Sequence, residues 1–149
     1  MVWKPDVTVA AVVERDGRFL LVEELIRGRR VFNQPAGHLE DGESLLHAVI
    51  RETVEETAWR FSPQWLVGTY LWRNPRTGHS TLRFAFSGEV DGHAPERPLD
   101  PPIIAVHWLA HGEILERRTR LRSPLVLRCV EDYLAGQRVA LTAVEAILQ

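Results

Sequence analysis

The chain has 149 residues, 45% apolar and 26% charged, which is enough for the core of one soluble domain spanning 1–149. A net charge of −2 and a pI near 6.3 argue against stable nucleic-acid binding, and no apolar run approaches the roughly 18 residues of a membrane span. Cys129 is the lone cysteine, which rules out an intramolecular disulfide and fits a buried thiol in a reducing compartment.

The opening stretch MVWKPDVTVAAVVERDG has no signal-peptide pattern, because Pro5 and Asp6 interrupt a short apolar run; a cytoplasmic protein is expected. Val7 to Glu14 and Arg18 to Leu25 read as strands of one hairpin turning at Asp16-Gly17, and Val31 to Gln34 as a third, short strand running into Pro35. Gly37 to Glu43 reads as a loop that two glycines let turn sharply, and Ser44 as the N-cap of a helix. Leu46, Val49, Ile50, Thr53 and Thr57 follow helical spacing and form its core-facing stripe. Trp65 to Arg73 and Ser80 to Val90 are the next strands, joined by NPRTGH. Asp91 to Pro102 carries four prolines and must be a surface crossing or a lid. Ile103 to Leu109 is a strand and Gly112 to Arg117 a short helix, while Ser123-Pro124 has the order of an N-cap and N1 proline for a helix ending near Ala135-Gly136. Residues 137–149 read as a docked tail, extended and then weakly helical; the arginine run from Glu116 to Arg122 reads as a solvated cationic segment.

The chemistry concentrates on the first helix. At 100° per residue, Glu52, Glu55 and Glu56 crowd one stripe beside the core face, where they repel unless a divalent cation lies between them. An all-oxygen donor set suits Mg²⁺, with Mn²⁺ as a substitute, and the Gly37 carbonyl is a further candidate ligand. Arg51 is placed to hold Glu55 or to reach back to Glu43, fixing carboxylate rotamers. Glu40, inside the loop, is a candidate to orient the ligands from outside, and His38 a loop-shaping residue.

Gly37, Glu43 and Arg51-Glu52-x-x-Glu55-Glu56 together resemble the Nudix box, the signature of hydrolases acting on nucleoside diphosphates linked to another group. Thr53 and Ala58 depart from that pattern, standing where an aliphatic residue and a glycine are usual; if position 58 is a left-handed cap, alanine costs about 1 kcal/mol. The pieces KPDVTVAAVVE, FNQPAGHLE, TLRFAF and LRSPLV, in that order, are similar to the phosphatase NudJ subgroup. The resemblance implies an α/β (α+β) Nudix fold, a mixed β-sheet sandwiched between α-helices. It also implies hydrolysis of nucleoside di- and triphosphates, and of a hydroxymethylpyrimidine diphosphate, with release of orthophosphate. Glu52, Glu55 and Glu56 would then hold Mg²⁺, with Glu52 the first candidate for a base and Arg51 in the catalytic set.

The small-molecule phosphorylated substrate needs contacts outside the box. Phe32 is a candidate to stack a ring and Gln34, with Asn33, to read its edge; the alternative is a core phenylalanine beside amides that satisfy a strand end. Arg83 either meets a phosphate from the sheet or reaches solvent, and Arg122 is a second phosphate candidate. Trp72 either stacks a base or belongs to the core. Three other readings are open: cleavage of nucleotide sugars, dinucleotides or ADP-ribose into two monophosphates, release of pyrophosphate, and a silent binding module of the same fold. A monomer and a homodimer both fit.

Overall fold

Alternation along the strands sends successive side chains into two cores, one on each side of a sheet layer, and this division positions everything else. The computed structural model describes residues 1–148; Gln149, the end of the expected tail, lies outside the described residues. Its strands are β1 (Asp6–Val12), β2 (Glu14–Arg15), β3 (Arg18–Ile26), β4 (Arg29–Asn33), β5 (Ala36–His38), β6 (Arg60–Arg73), β7 (Ser80–Asp91), β8 (Ile103–Ala110) and β9 (Val139–Ala140). The helices are α1 (Leu45–Thr57), α2 (His111–Glu116) and α3 (Pro124–Leu134), with 3-10 turns at Arg118–Arg120 and Leu141–Ala143.

There are two sheets rather than one. The larger has the order β5-β1-β7-β6-β9 and is parallel only between β1 and β7; in the smaller, β3 pairs antiparallel with β2, β4 and β8. Val9, Ala11, Leu20 and Phe86 pack with Ala48 and Val49 of α1, whereas Val12, Leu21 and Ala85 pack with Ile114 of α2 and Val126, Cys129 and Val130 of α3. Helices therefore cover both sides of this mixed α+β architecture. None of them is long and apolar enough to cross a membrane.

Several local expectations change. The Asp16-Gly17 turn forms, with φ of 52° and 77°, but it joins only Glu14-Arg15 to Arg18-Phe19; the residues before it leave for the other sheet, between β5 and β7. A second turn of positive φ, Arg27-Gly28, closes the β3–β4 hairpin. The expected Gly37 loop begins as strand β5 against β1. Strand β6 starts at Arg60, five residues early, and tolerates Pro63 beside an irregularity of its ladder with β7. In the tail, the expected extended piece is a two-residue strand on β6, and one 3-10 turn stands where a weak helix was expected.

The helix signals are read correctly. Ser44 Oγ accepts from the His47 N–H at 3.1 Å, and Ser123 Oγ from the Leu125 N–H at 3.2 Å with Pro124 opening α3. Thr53 and Thr57 are buried in the stripe, their hydroxyls donating to the Val49 and Thr53 carbonyls. Ala58 is the left-handed cap, φ 62° and ψ 19°, donating to Val54 O at 2.9 Å. The proline-rich crossing is pinned and forms a wall: Ala94 N–H bonds Ala58 O, Asp100 N–H bonds Glu55 O, and Pro102 O accepts from Leu25 N–H.

Candidate active site

Where α1, β5, the β3–β4 hairpin and the start of α3 meet, they enclose a cleft of about 960 Å³. Seven carboxylates line it, those of Asp6, Glu24, Glu40, Glu52, Glu55, Glu56 and Asp100, against three guanidiniums, Arg51, Arg83 and Arg122. A space of that size accepts a small organic ligand, yet its excess negative charge repels an anion that arrives without cations.

Arg51 is the centre of the acidic set. Its Nη2 and Nε donate to the two Glu43 oxygens at 2.6 and 3.0 Å, and its Nη1 to Glu52 at 2.7 Å and Glu55 at 3.2 Å. It therefore makes both contacts that the spacing offered, and also bonds the His38 carbonyl at 3.1 Å. The bidentate hydrogen bonds from Arg51 hold the Glu43 carboxyl below its usual range. Glu43 in turn accepts from the Glu40 N–H at 2.9 Å, which shapes the loop. Glu40 itself is exposed, 3.6 Å from Arg51.

Glu56 lies deeper. Its Oε1 accepts from the Ala36 N–H at 2.9 Å. Burial, reinforced by the charges of Glu52, Glu24 and Asp100, pushes its pKa up to about 8, and burial also raises that of Glu52. Gly37 packs so closely that a Cβ there would overlap the Glu52 carboxyl, and a side chain at 37 would displace that carboxylate from its present position. Among the described residues no three carboxylates or imidazoles converge on one point, since Arg51 lies between Glu52 and Glu55. By donor type and by charge these groups fit a divalent cation; closing on one requires the Glu55 or Glu52 rotamer to leave Arg51.

The remaining candidates separate. Arg83 is buried, which removes the solvent-reaching alternative: its Nη1 donates to Gln34 Oε1 at 3.0 Å and its Nη2 to Asn33 Oδ1 at 3.3 Å, with Nε unpartnered. Burial lowers its pKa, and no carboxylate pairs with it. Gln34 is 1% exposed and donates to Val126 O, so it orients Arg83 from behind. Phe32 belongs to the core on the α3 side, between the guanidiniums of Arg117 and Arg120 and the His107 ring, and does not line the cleft. Arg122 and Trp72 do line it.

Sequence reasoning did not single out Glu24 and Asp100. Glu24 is 5% exposed, with Oε2 held by Arg122 Nη1 at 2.9 Å and Oε1 unpartnered. A signal for it was present, because consecutive glutamates inside the apolar strand RFLLVEELI are uncommon unless paired. Asp100 arrives through the backbone bond of the proline-rich crossing, and local sequence carries no sign of that.

A family model described as the NUDIX domain matches residues 3–128. The protein named Phosphatase NudJ from Escherichia coli strain K12 is 43% identical over 139 residues, 93% of this chain and 90% of that protein. A solved NUDIX hydrolase from Nitrosomonas europaea is 47% identical, with a TM-score of 0.95 over 97% of this chain and 98% of that one. The NUDIX domain of Shewanella oneidensis NrtR, solved with ADP ribose, shares the fold at 18% identity and a TM-score of 0.73 over 91% of this chain and 90% of that one.

Proposed function

The chain belongs to the NUDIX domain family and is a Nudix phosphohydrolase, and from this premise we propose that it releases orthophosphate from nucleoside di- and triphosphates and related diphosphates, with Mg²⁺ as cofactor. A pyrimidine diphosphate of the hydroxymethyl type falls within that class. The observation that carries the reading is the charge of the cleft: acids outnumber arginines seven to three around a family box, so a phosphate chain enters together with cations. The 43% identity to a protein named a phosphatase favours release of orthophosphate.

The chain's own residues divide the work. Glu52, Glu55 and Glu56, with the Gly37 carbonyl, are the groups that would hold the cation, and Arg51 and Glu43 position them. Bound there, a divalent cation supplies charge neutralisation at the phosphate oxygens and acidity to the attacking water. Arg83, buried at the cleft wall without a carboxylate partner, is the guanidinium that would meet phosphate oxygens, joined by Arg122 from the segment leading into α3. Glu56, whose burial raises its pKa to about 8, has the proton affinity that suits a water-proton acceptor.

Product analysis tests the substrate class. Incubation with Mg²⁺ should give orthophosphate and the product one phosphate shorter from nucleoside di- and triphosphates and from the pyrimidine diphosphate, and should leave ADP-ribose, which has no terminal phosphate, uncleaved. Paired monophosphates or pyrophosphate would move the subclass. Turnover of nothing in the panel would contradict the proposal.

A further inference from the structure

The chain as a whole carries a net charge of −2, yet six guanidiniums gather where the β3–β4 hairpin meets the segment before α3. Arg27, Arg29 and Arg30 come from the hairpin tip, and Arg117, Arg120 and Arg122 from that segment. We propose that this ridge binds the body of a linear chain of anhydride-linked phosphates, longer than a triphosphate, and presents its terminal phosphate to the cleft. The assignment rests on the phosphohydrolase reading and adds inorganic polyphosphate to its substrates.

Local geometry forces these arginines together. The segment lies along the edge of β4 away from β3: Leu121 bridges Phe32, the Arg122 N–H bonds Phe32 O at 2.8 Å, and Arg120 Nε donates to Arg30 O at 3.3 Å. Alternation then divides the side chains between the two faces of the hairpin. Arg29 shares its face with Ile26 and Glu24, which line the cleft, and Glu24 accepts from Arg122 Nη1 at 2.9 Å. Arg30 shares the other face with Phe32, whose ring lies under the guanidiniums of Arg117 and Arg120 at 5.7 and 5.4 Å. The ridge therefore starts at the cleft wall and continues over the hairpin tip.

Charge on the ridge is unbalanced. Glu23, Glu24 and Glu116 lie 3.7, 2.9 and 3.9 Å from Arg30, Arg122 and Arg117, whereas among the described residues no carboxylate pairs with Arg27, Arg29 or Arg120. Like charges held this close repel, and an anion with many closely spaced charges relieves that repulsion along the whole ridge. Guanidinium forks also match phosphate oxygens two at a time. The ridge offers charge without a stacking surface, since Phe32 is 4% exposed beneath its two guanidiniums. Single-stranded nucleic acid gains affinity by stacking bases on aromatic rings, so this surface suits a chain of phosphates alone better. At the cleft, water oxygen bonds to the terminal phosphorus, the bridging oxygen keeps the electron pair and leaves on a chain one phosphate shorter, and the water proton passes to Glu56.

Binding in EDTA isolates the ridge, because the acidic cleft repels phosphate when no cation accompanies it. Titration calorimetry would compare long-chain sodium polyphosphate, tripolyphosphate and an oligouridylate of similar length, for wild type, Arg29→Gln, Arg120→Gln and the double variant. Polyphosphate should bind most tightly, with an affinity that falls steeply as salt is raised. Each single substitution should lower the salt slope by about one, and the double variant should weaken binding at least about tenfold. Arg29 is exposed and has no ion partner among the described residues, so its variant reads the ridge if loss of Arg120 disturbs Phe32. With Mg²⁺, wild type should release orthophosphate from the long chain at a lower KM than from tripolyphosphate, and the double variant should remove that difference. Equal affinity for long and short phosphates, indifference to both arginines, or oligouridylate bound as tightly would overturn the ridge and leave the hydrolase reading standing. Ridge binding without release, in an enzyme that turns over nucleoside triphosphates, would overturn the substrate assignment. Release from no phosphate compound at all would sink the hydrolase reading and the substrate assignment with it.

Discussion

Glu56 carries the strongest consequence of the cleft's electrostatics. Its folded pKa, about 8, is raised above the ordinary carboxylate value of 4.5, so the native state binds more protons than the unfolded chain between those pH values. Stability from this group is therefore full below pH 4.5 and is lost as pH rises through 8, by at most about 1.4 kcal/mol per pH unit. In EDTA, urea unfolding of wild type should show this decline between pH 5.5 and 8.5, and Glu56→Gln should lack it; parallel curves for the two proteins would contradict the burial argument. Arg83 makes a different claim. Arg83→Lys keeps the charge but cannot bond Gln34 and Asn33 in the same fork, so KM for nucleotides should rise about tenfold with a smaller change in kcat. The sequence exposed these box glutamates through spacing alone, whereas the burial of Phe32 and the tie between Arg83 and Gln34 depend on β4 and β7 being brought together through β1 and β5, which no local pattern encodes.

At the scale of elements, the caps were legible and the strand partners were not. Ser44, Ser123-Pro124 and the helical stripe act within one turn of chain, so local sequence suffices. The Asp16-Gly17 turn is equally local, but where β1 goes is decided by β5 and β7, far along the chain. Ala58 shows how opposing terms settle at one cap. Its left-handed conformation costs about 1–2 kcal/mol, which glycine would relieve, but glycine adds about 0.4–1 kcal/mol of unfolded-state entropy and gives up a buried methyl worth about 0.8 kcal/mol. Ala58→Gly should therefore change unfolding free energy by less than about 1 kcal/mol, whereas Ala58→Val, β-branched at positive φ, should lose more than about 1 kcal/mol; denaturant melts of the two variants check this.

Across the whole molecule, the layer that divides the two cores also brings the site together: α1 presents the glutamates, the segment leading into α3 delivers Arg122, and the proline-rich crossing adds Asp100. The C-terminal tail belongs to this assembly. Gln137 Nε2 donates to Val67 O at 2.7 Å, Val139-Ala140 pairs with β6, and Leu141 and Val144 pack on the α1 core. Ending the chain at Gly136 should cost about 1–3 kcal/mol in urea unfolding and leave the β6 edge open to pairing between molecules, seen as concentration-dependent light scattering. The most direct test of the central claim, that the box glutamates of α1 perform cation-dependent phosphoanhydride hydrolysis, is phosphorus NMR of a nucleoside triphosphate with wild type and Glu56→Gln, each with Mg²⁺ and with EDTA. The account predicts orthophosphate from wild type only with Mg²⁺, and at least about 100-fold slower release by Glu56→Gln. Undiminished release in EDTA, or by Glu56→Gln, would contradict it.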